Sequence, residues 1–145
     1  MNIFFDTSVL VASCTDTHSH FVPAIAAVTR VVTGQDTGFL SMHSIAEMFT
    51  ALTTMPAQPR IHPTEAARLI KNNILAHFKT IPLVQQEYLE ALEVMVRGGW
   101  RGAKIYDVLL LRGAEKSGAE RIYTFNLADF RRLAPTELQS RICSP

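Results

Sequence analysis

The sequence has only two cysteines, Cys14 and Cys143, near opposite ends of its 145 residues. Two thiols cannot build a disulfide framework, so a reducing, cytoplasmic setting is expected. No apolar run is long enough to span a bilayer, and no membrane role is expected. No Lys or Arg precedes Arg30, so the first residues lack the basic leader of a secretory signal. Charged residues are scarce at 19% against 48% hydrophobic, which excludes intrinsic disorder and leaves enough apolar mass for a core. Internal repeats and low-complexity tracts are absent, and the length suits one domain over residues 1–145.

What charge there is lies unevenly. Residues 97–132 hold eight Lys/Arg against four acids, a net +4, while the remainder carries −3. A basic carboxy-terminal third suits a polyanionic substrate. A solvated surface is the plainer explanation of charge taken alone.

Hydrophobic patterning predicts strands alternating with helices. Asn2 to Phe5 reads as a buried strand ending at Asp6, with a helix starting near Val9. A helix from Val22 to Val32, a strand from Thr37 to Ser41 and a helix from Ser44 to Thr53 follow. Pro63 opens another helix, with Ala67, Ile70 and Ile74 as its buried stripe. Lys79 to Leu83 is a short strand. Val84, Tyr88, Leu92 and Met95 mark an amphipathic helix that stops at Gly98-Gly99. A helix from Ala103 to Lys116, a strand from Arg121 to Thr124 and a short helix from Leu127 to Leu133 come next. The tail from Leu138 to Ile142 reads as a last strand. This alternation predicts an α/β fold: a three-layer α/β/α sandwich with a central parallel sheet. In such sheets ligands sit beyond the carboxyl ends of the strands.

Four acids occupy awkward places. Asp6 closes the first strand, where it could also cap the following helix. Asp107 lies in Ile105-Tyr106-Asp107-Val108-Leu109-Leu110-Leu111, a helix apolar nearly all round, on one face with Leu110, Leu111 and Ala114. A lone carboxylate there is costly unless compensated, for which Lys104 and Arg101 are candidates. Glu47 has His43, Ser44, Thr50 and Ala51 one turn away, mostly small residues that leave room for an ion; it could also be merely solvated. Asp129 falls just after the strand ending at Thr124, where it too could serve as a cap. One cause accounts for all four. Gathered carboxylates repel each other without a counter-ion, and Mg²⁺ prefers such oxygen ligands. A divalent ion there would activate water and stabilise the leaving oxygen of a phosphodiester.

These elements resemble the PIN-domain ribonucleases, and in size and layout the VapC-like toxins of type II toxin–antitoxin pairs. The matching stretches are Ile3 to Leu10, Ser44 to Met48, Ala103 to Leu110 and Ile122 to Phe130. The resemblance implies Asp6, Glu47 and Asp107 as catalytic ligands of Mg²⁺ (or Mn²⁺). It implies Asp129 as the fourth carboxylate, with Asn126 where many relatives carry an acid. Thr7, Ser8 and Thr124 are then hydrogen-bonding partners that orient the ligands. Arg101, Lys104, Arg112 and Arg131 are candidates to hold RNA phosphates. The resemblance also implies an RNA substrate, a cognate antitoxin protein and a homodimer. A non-catalytic PIN-like domain that binds RNA or protein, and a metal-dependent DNA nuclease, are the alternatives.

Other signals carry blander readings. His18-Ser19-His20 lacks the spaced partners of a zinc site and reads as a surface turn. His43 reads as helix packing, and Cys14 as a small buried hydrophobe. Trp100 either stacks on a base or packs against the following helix. Gly98, Gly99 and Gly102 are not spaced as a phosphate-binding loop.

Overall fold

A computed structural model describes residues 1–145. Five strands form one all-parallel sheet: β1 (Asn2–Phe5), β2 (Thr37–Ser41), β3 (Lys79–Ile81), β4 (Arg121–Tyr123) and β5 (Ile142–Cys143). Their order across the sheet is β3-β2-β1-β4-β5, which puts β1 at the centre. Parallel neighbours need crossovers, and helices supply them. These are α1 (Thr7–Ser13), α2 (Phe21–Val32), α3 (Met42–Thr54), α4 (Pro63–Leu69), α5 (Gln85–Gly98), α6 (Lys104–Ser117), α7 (Leu127–Leu133) and α8 (Thr136–Gln139). A single π-helical stretch, Ile70–Leu75, continues α4.

The helices cover both faces. Alternation along β1 sends Ile3 and Phe5 into one core with Leu10, Val28, Met48 and Ile74. Phe4 points into the other core, with Leu110, Ile122, Phe130 and Leu138. The three layers expected from the sequence are present. No helix is long and apolar enough to cross a membrane.

Gly38 in β2 marks a close approach. A Cβ there would stand 2.5 Å from the Phe78 ring and 2.9 Å from Val31. That ring is itself wedged edge-on against Phe5, at 5.0 Å between centroids. Gly38→Ala should therefore cost roughly 1–3 kcal/mol through overpacking, read as a lower urea midpoint. An unchanged midpoint would mean that Phe78 moves freely.

Two expectations need correction. The tail is not a strand from 138 to 142: Thr136–Gln139 is a helical turn burying Leu138, and only Ile142–Cys143 pairs with β4. The stripe assigned to α5 holds only at Met95. Val84, Tyr88 and Leu92 are exposed, whereas Glu87, Ala91 and Met95 are buried. Glu87 can be buried because it is paired. It accepts the Val84 N–H at 2.7 Å and Lys116 Nζ at 3.0 Å, and Arg112 stands 3.8 Å away. These contacts hold its carboxyl below the usual range, the Val84 hydrogen bond contributing most.

Candidate active site

The acids of interest sit where helices begin at the carboxyl end of the sheet. Asp6 follows β1 and occupies the N-cap of α1; Glu47 lies in the second turn of α3, which starts straight after β2. Asp107 and Asp129 lie in the first turns of α6 and α7. Helix N-termini carry partial positive charge, which eases the placement of several anions together.

Asp6 is buried. It makes no side-chain capping hydrogen bond to α1, although the Ser8 and Thr7 N–H groups help to lower its carboxyl. Oδ2 accepts the Ser8 hydroxyl at 2.6 Å and the Thr124 hydroxyl at 2.8 Å. Burial pushes its carboxyl up, and those hydroxyl hydrogen bonds offset the rise only in part. The same network continues into the next loop: the Asn126 N–H donates to Thr124 Oγ1 at 2.9 Å, and the Phe125 N–H to Ser8 Oγ at 3.4 Å. The Thr7 hydroxyl lies 2.9 Å from Ser44 Oγ and 3.3 Å from Glu47 Oε1, tying α1 to α3.

Glu47 is half-buried, with His43 Nε2 3.7 Å from its carboxylate. Burial raises its pKa, Asp6 adds repulsion, and His43 and Thr7 oppose both. Asp107 is pushed up to about 6, first by burial and then by Asp6, Asp129 and Glu47, with Lys104 opposing. Asp6, Glu47 and Asp107, from three different elements, thus sense one another. With Thr7, Ser8 and Asn126 they line a cavity of about 540 Å³.

That cavity is roomy. No three His, Cys, Asp or Glu side chains close on a single point to grip a metal by themselves. The donor set still suits a hard divalent cation: three carboxylates and an amide carbonyl, with waters completing the shell, as Mg²⁺ usually keeps several. Burial raises both Asp107 and Glu47, and neighbouring carboxylates add to the rise in each.

The PIN domain family model matches residues 3–135, nearly the whole chain. This chain belongs to the PIN domain family. Among solved structures, the VapC20 toxin of Mycobacterium tuberculosis, described as cleaving the sarcin–ricin loop, superposes with a TM-score of 0.65 at 19% identity, over 88% of this chain and 92% of that one. VapBC2 from Rickettsia felis, solved bound to a DNA fragment from its promoter, gives 0.61 at 15% identity, over 91% and 92%. No curated protein matches the sequence significantly.

The fourth carboxylate of this PIN domain departs from expectation. Asp129 does not line the cavity; Asn126 does. Asp129 accepts Asn126 Nδ2 at 3.1 Å and pairs with Lys104 Nζ at 3.6 Å, contacts that hold its carboxyl below the usual range. Lys104 therefore compensates Asp129 more than Asp107. Its ammonium also lies 5.5 Å over the Trp100 ring, with the Arg132 guanidinium 5.9 Å from the same ring. Trp100 packs against the core on this side, as the packing alternative required.

Of the candidate phosphate-binding residues, Arg101 is exposed beside the start of α6 and Lys104 stands on the rim. The other two are engaged elsewhere. Arg112 pairs with Glu115 at 2.6 Å, Glu90 at 3.5 Å and Glu87 at 3.8 Å, in a separate pocket between α5 and α6. Arg131 donates to the Ile142 carbonyl at 3.1 Å and fastens α7 to β5.

Sequence reasoning undervalued the rings. His18, His20 and Phe125 line the acidic cavity, and His20 stacks on Phe125 at 4.2 Å and 14°. His43 stacks on Tyr106 at 5.0 Å and 9°. Phe125 directly follows Thr124, and Tyr106 directly precedes Asp107. Adjacency to a site residue was the one signal available.

Proposed function

We propose that this PIN domain is a metal-dependent endoribonuclease that hydrolyses RNA phosphodiester bonds, and that it is the toxin of a toxin–antitoxin pair. The convergence of Asp6, Glu47 and Asp107 on one cavity, with Asp107 pushed up to about 6, carries the reading. Asp6, Glu47 and Asp107 hold Mg²⁺ or Mn²⁺, directly or through waters. Bound there, the ion supplies charge neutralisation at the phosphate and lowers the pKa of the attacking water. Ser8 and Thr124 fix the Asp6 carboxylate by donating to Oδ2, and Thr7 steadies Glu47. Asn126 lends its carbonyl oxygen, and Asp129 turns that amide by accepting its N–H. Arg101 and Lys104 receive the flanking phosphates.

The His18, His20 and Phe125 wall gives a base beside the cut a flat surface to rest on. His20→Ala should raise KM for single-stranded RNA about five- to tenfold with kcat little changed, the scale of one lost stacking contact. A fall in kcat with KM unchanged would place His20 in the chemistry instead.

Incubation of labelled single-stranded RNA with the purified chain and Mg²⁺ or Mn²⁺ tests the reading. RNA cut in the middle of the strand supports it. Equal cutting of the matching DNA would favour a DNA nuclease, and binding of RNA without cleavage would favour a non-catalytic domain. Likeness in fold to VapC20 and VapBC2 supports the toxin role, with a cognate antitoxin. Induction in a bacterial host should arrest growth, and co-expression of the neighbouring antitoxin should restore it.

A further inference from the structure

Two helices each present a carboxylate to the cavity. α3 carries Glu47 and α6 carries Asp107, and the Glu47 charge adds to the cost of ionising Asp107. α3 and α6 do not pack on one another along their length; each is attached to the sheet through β2. One direct side-chain bridge joins their N-terminal turns. The His43 imidazole of α3 lies flat on the Tyr106 phenol ring of α6, at 5.0 Å and 9°. Each ring is tied to an acid: His43 is one turn before Glu47 and 3.7 Å from its carboxylate, and Tyr106 immediately precedes Asp107. Tyr106 is 44% exposed, so its ring contributes little to either core.

We infer that the His43–Tyr106 stack is a clasp that sets the separation of Glu47 and Asp107 against their mutual repulsion. Both are positioning residues, and the inference rests on the metal-holding role proposed for those two acids. Repulsion drives the start of α3 away from the start of α6. Ring contact opposes it, and His43 also stands 3.7 Å from the Glu47 carboxylate on its own helix. An ion shared by the two acids needs them at a fixed spacing, and the clasp presets that spacing before the ion arrives. The Tyr106 hydroxyl has no hydrogen-bond partner that the clasp needs; only the ring matters.

Three variants test this: Tyr106→Phe keeps the stack, while Tyr106→Ala and His43→Ala remove it. Calorimetric titration with Mn²⁺ alone, without RNA, should show Tyr106→Phe binding as the parent does. Tyr106→Ala and His43→Ala should bind about three- to tenfold more weakly, the range of an aromatic pair. Thermal midpoints of the Tyr106 variants should stay close to the parent because the side chain is exposed. Equal Mn²⁺ affinity in parent and Tyr106→Ala, or equal weakening in Tyr106→Phe, would overturn the clasp while leaving the nuclease reading intact.

A metal-free measurement separates the two ideas further. Because releasing the stack lets the two carboxylates move apart and relieves part of their repulsion, Tyr106→Ala should lower the urea midpoint less in the parent than in an Asp107→Asn background. Should even the parent fail to bind Mn²⁺, the metal reading falls, and this cycle alone decides the clasp. Identical losses in both backgrounds would end it.

Discussion

Asp107→Asn should suppress RNA cleavage by about two to three orders of magnitude, the scale of losing one group that stabilises charge in the transition state. The same change should make the metal-free chain more stable. The first follows from the proposed metal-holding role of Asp107, the second from its carboxyl being pushed up to about 6 by burial and by the Asp6, Asp129 and Glu47 carboxylates. A carboxyl raised in the folded state holds its proton more tightly than in the unfolded chain. Stability is therefore lost as pH rises from the ordinary carboxylate value through about 6, and the full penalty applies above it. In a sealed site that displacement would be worth about 3 kcal/mol. Asp107 is only half-buried, and solvent screening reduces the figure to roughly 1–2 kcal/mol. Asn is near-isosteric and uncharged, so it recovers this amount at about pH 8 and nothing below about pH 4. Urea midpoints in a chelator, taken at both pH values, provide the check. An Asn variant that is less stable at both, or that cuts RNA at the parental rate, would remove Asp107 from the site.

The parts of this site legible in the sequence are those carried by short local patterns. Asn2 to Phe5 alternates between two cores and ends in an acid, so β1 and Asp6 could be placed together. Asp107 stood out because its helical neighbours Val108, Leu109, Leu110 and Leu111 are all apolar, and all four are buried. Most of the buried face of α5 is hidden in the sequence for the opposite reason. Its buried face includes Glu87, whose carboxylate is accommodated by the Val84 N–H and by Lys116 and Arg112 reaching it from α6. Periodicity scores a charge as outward and cannot see partners from another helix. Thr136–Gln139 failed through brevity: four residues cannot distinguish a period of 3.6 from one of 2. The positions of Arg112 and Asp129 were unreadable in the same way. Both are fixed by tertiary partners, the α5 glutamates in one case and Asn126 with Lys104 in the other. His20 and Phe125 meet across 105 positions of chain, and no pattern in either segment announces the stack.

Chelation should abolish cleavage, and restored Mn²⁺ or Mg²⁺ should return it with an affinity that climbs with pH through about 6, where Asp107 ionises. The ion and protons compete for the same oxygens. Below about 6 the ion must displace the proton from Asp107, so each unit fall in pH weakens binding about tenfold for that group alone. The carboxyls of Asp6 and Glu47 are raised as well, and each adds to the steepness where it remains protonated. Above the highest of these values no proton is released and the curve flattens. Stability reverses sign with the ion present: the repulsion that penalises the empty chain at neutral pH becomes attraction to the cation. Mn²⁺ at about a hundred times its dissociation constant should add about 2.7 kcal/mol. Calorimetry in two buffers of different ionisation enthalpy counts the protons released, and the count should fall in Asp107→Asn. An affinity that stays flat between about pH 5 and about pH 8 would mean the ion avoids Asp107. The raised carboxyl would then be a cost the fold bears without metal chemistry to explain it.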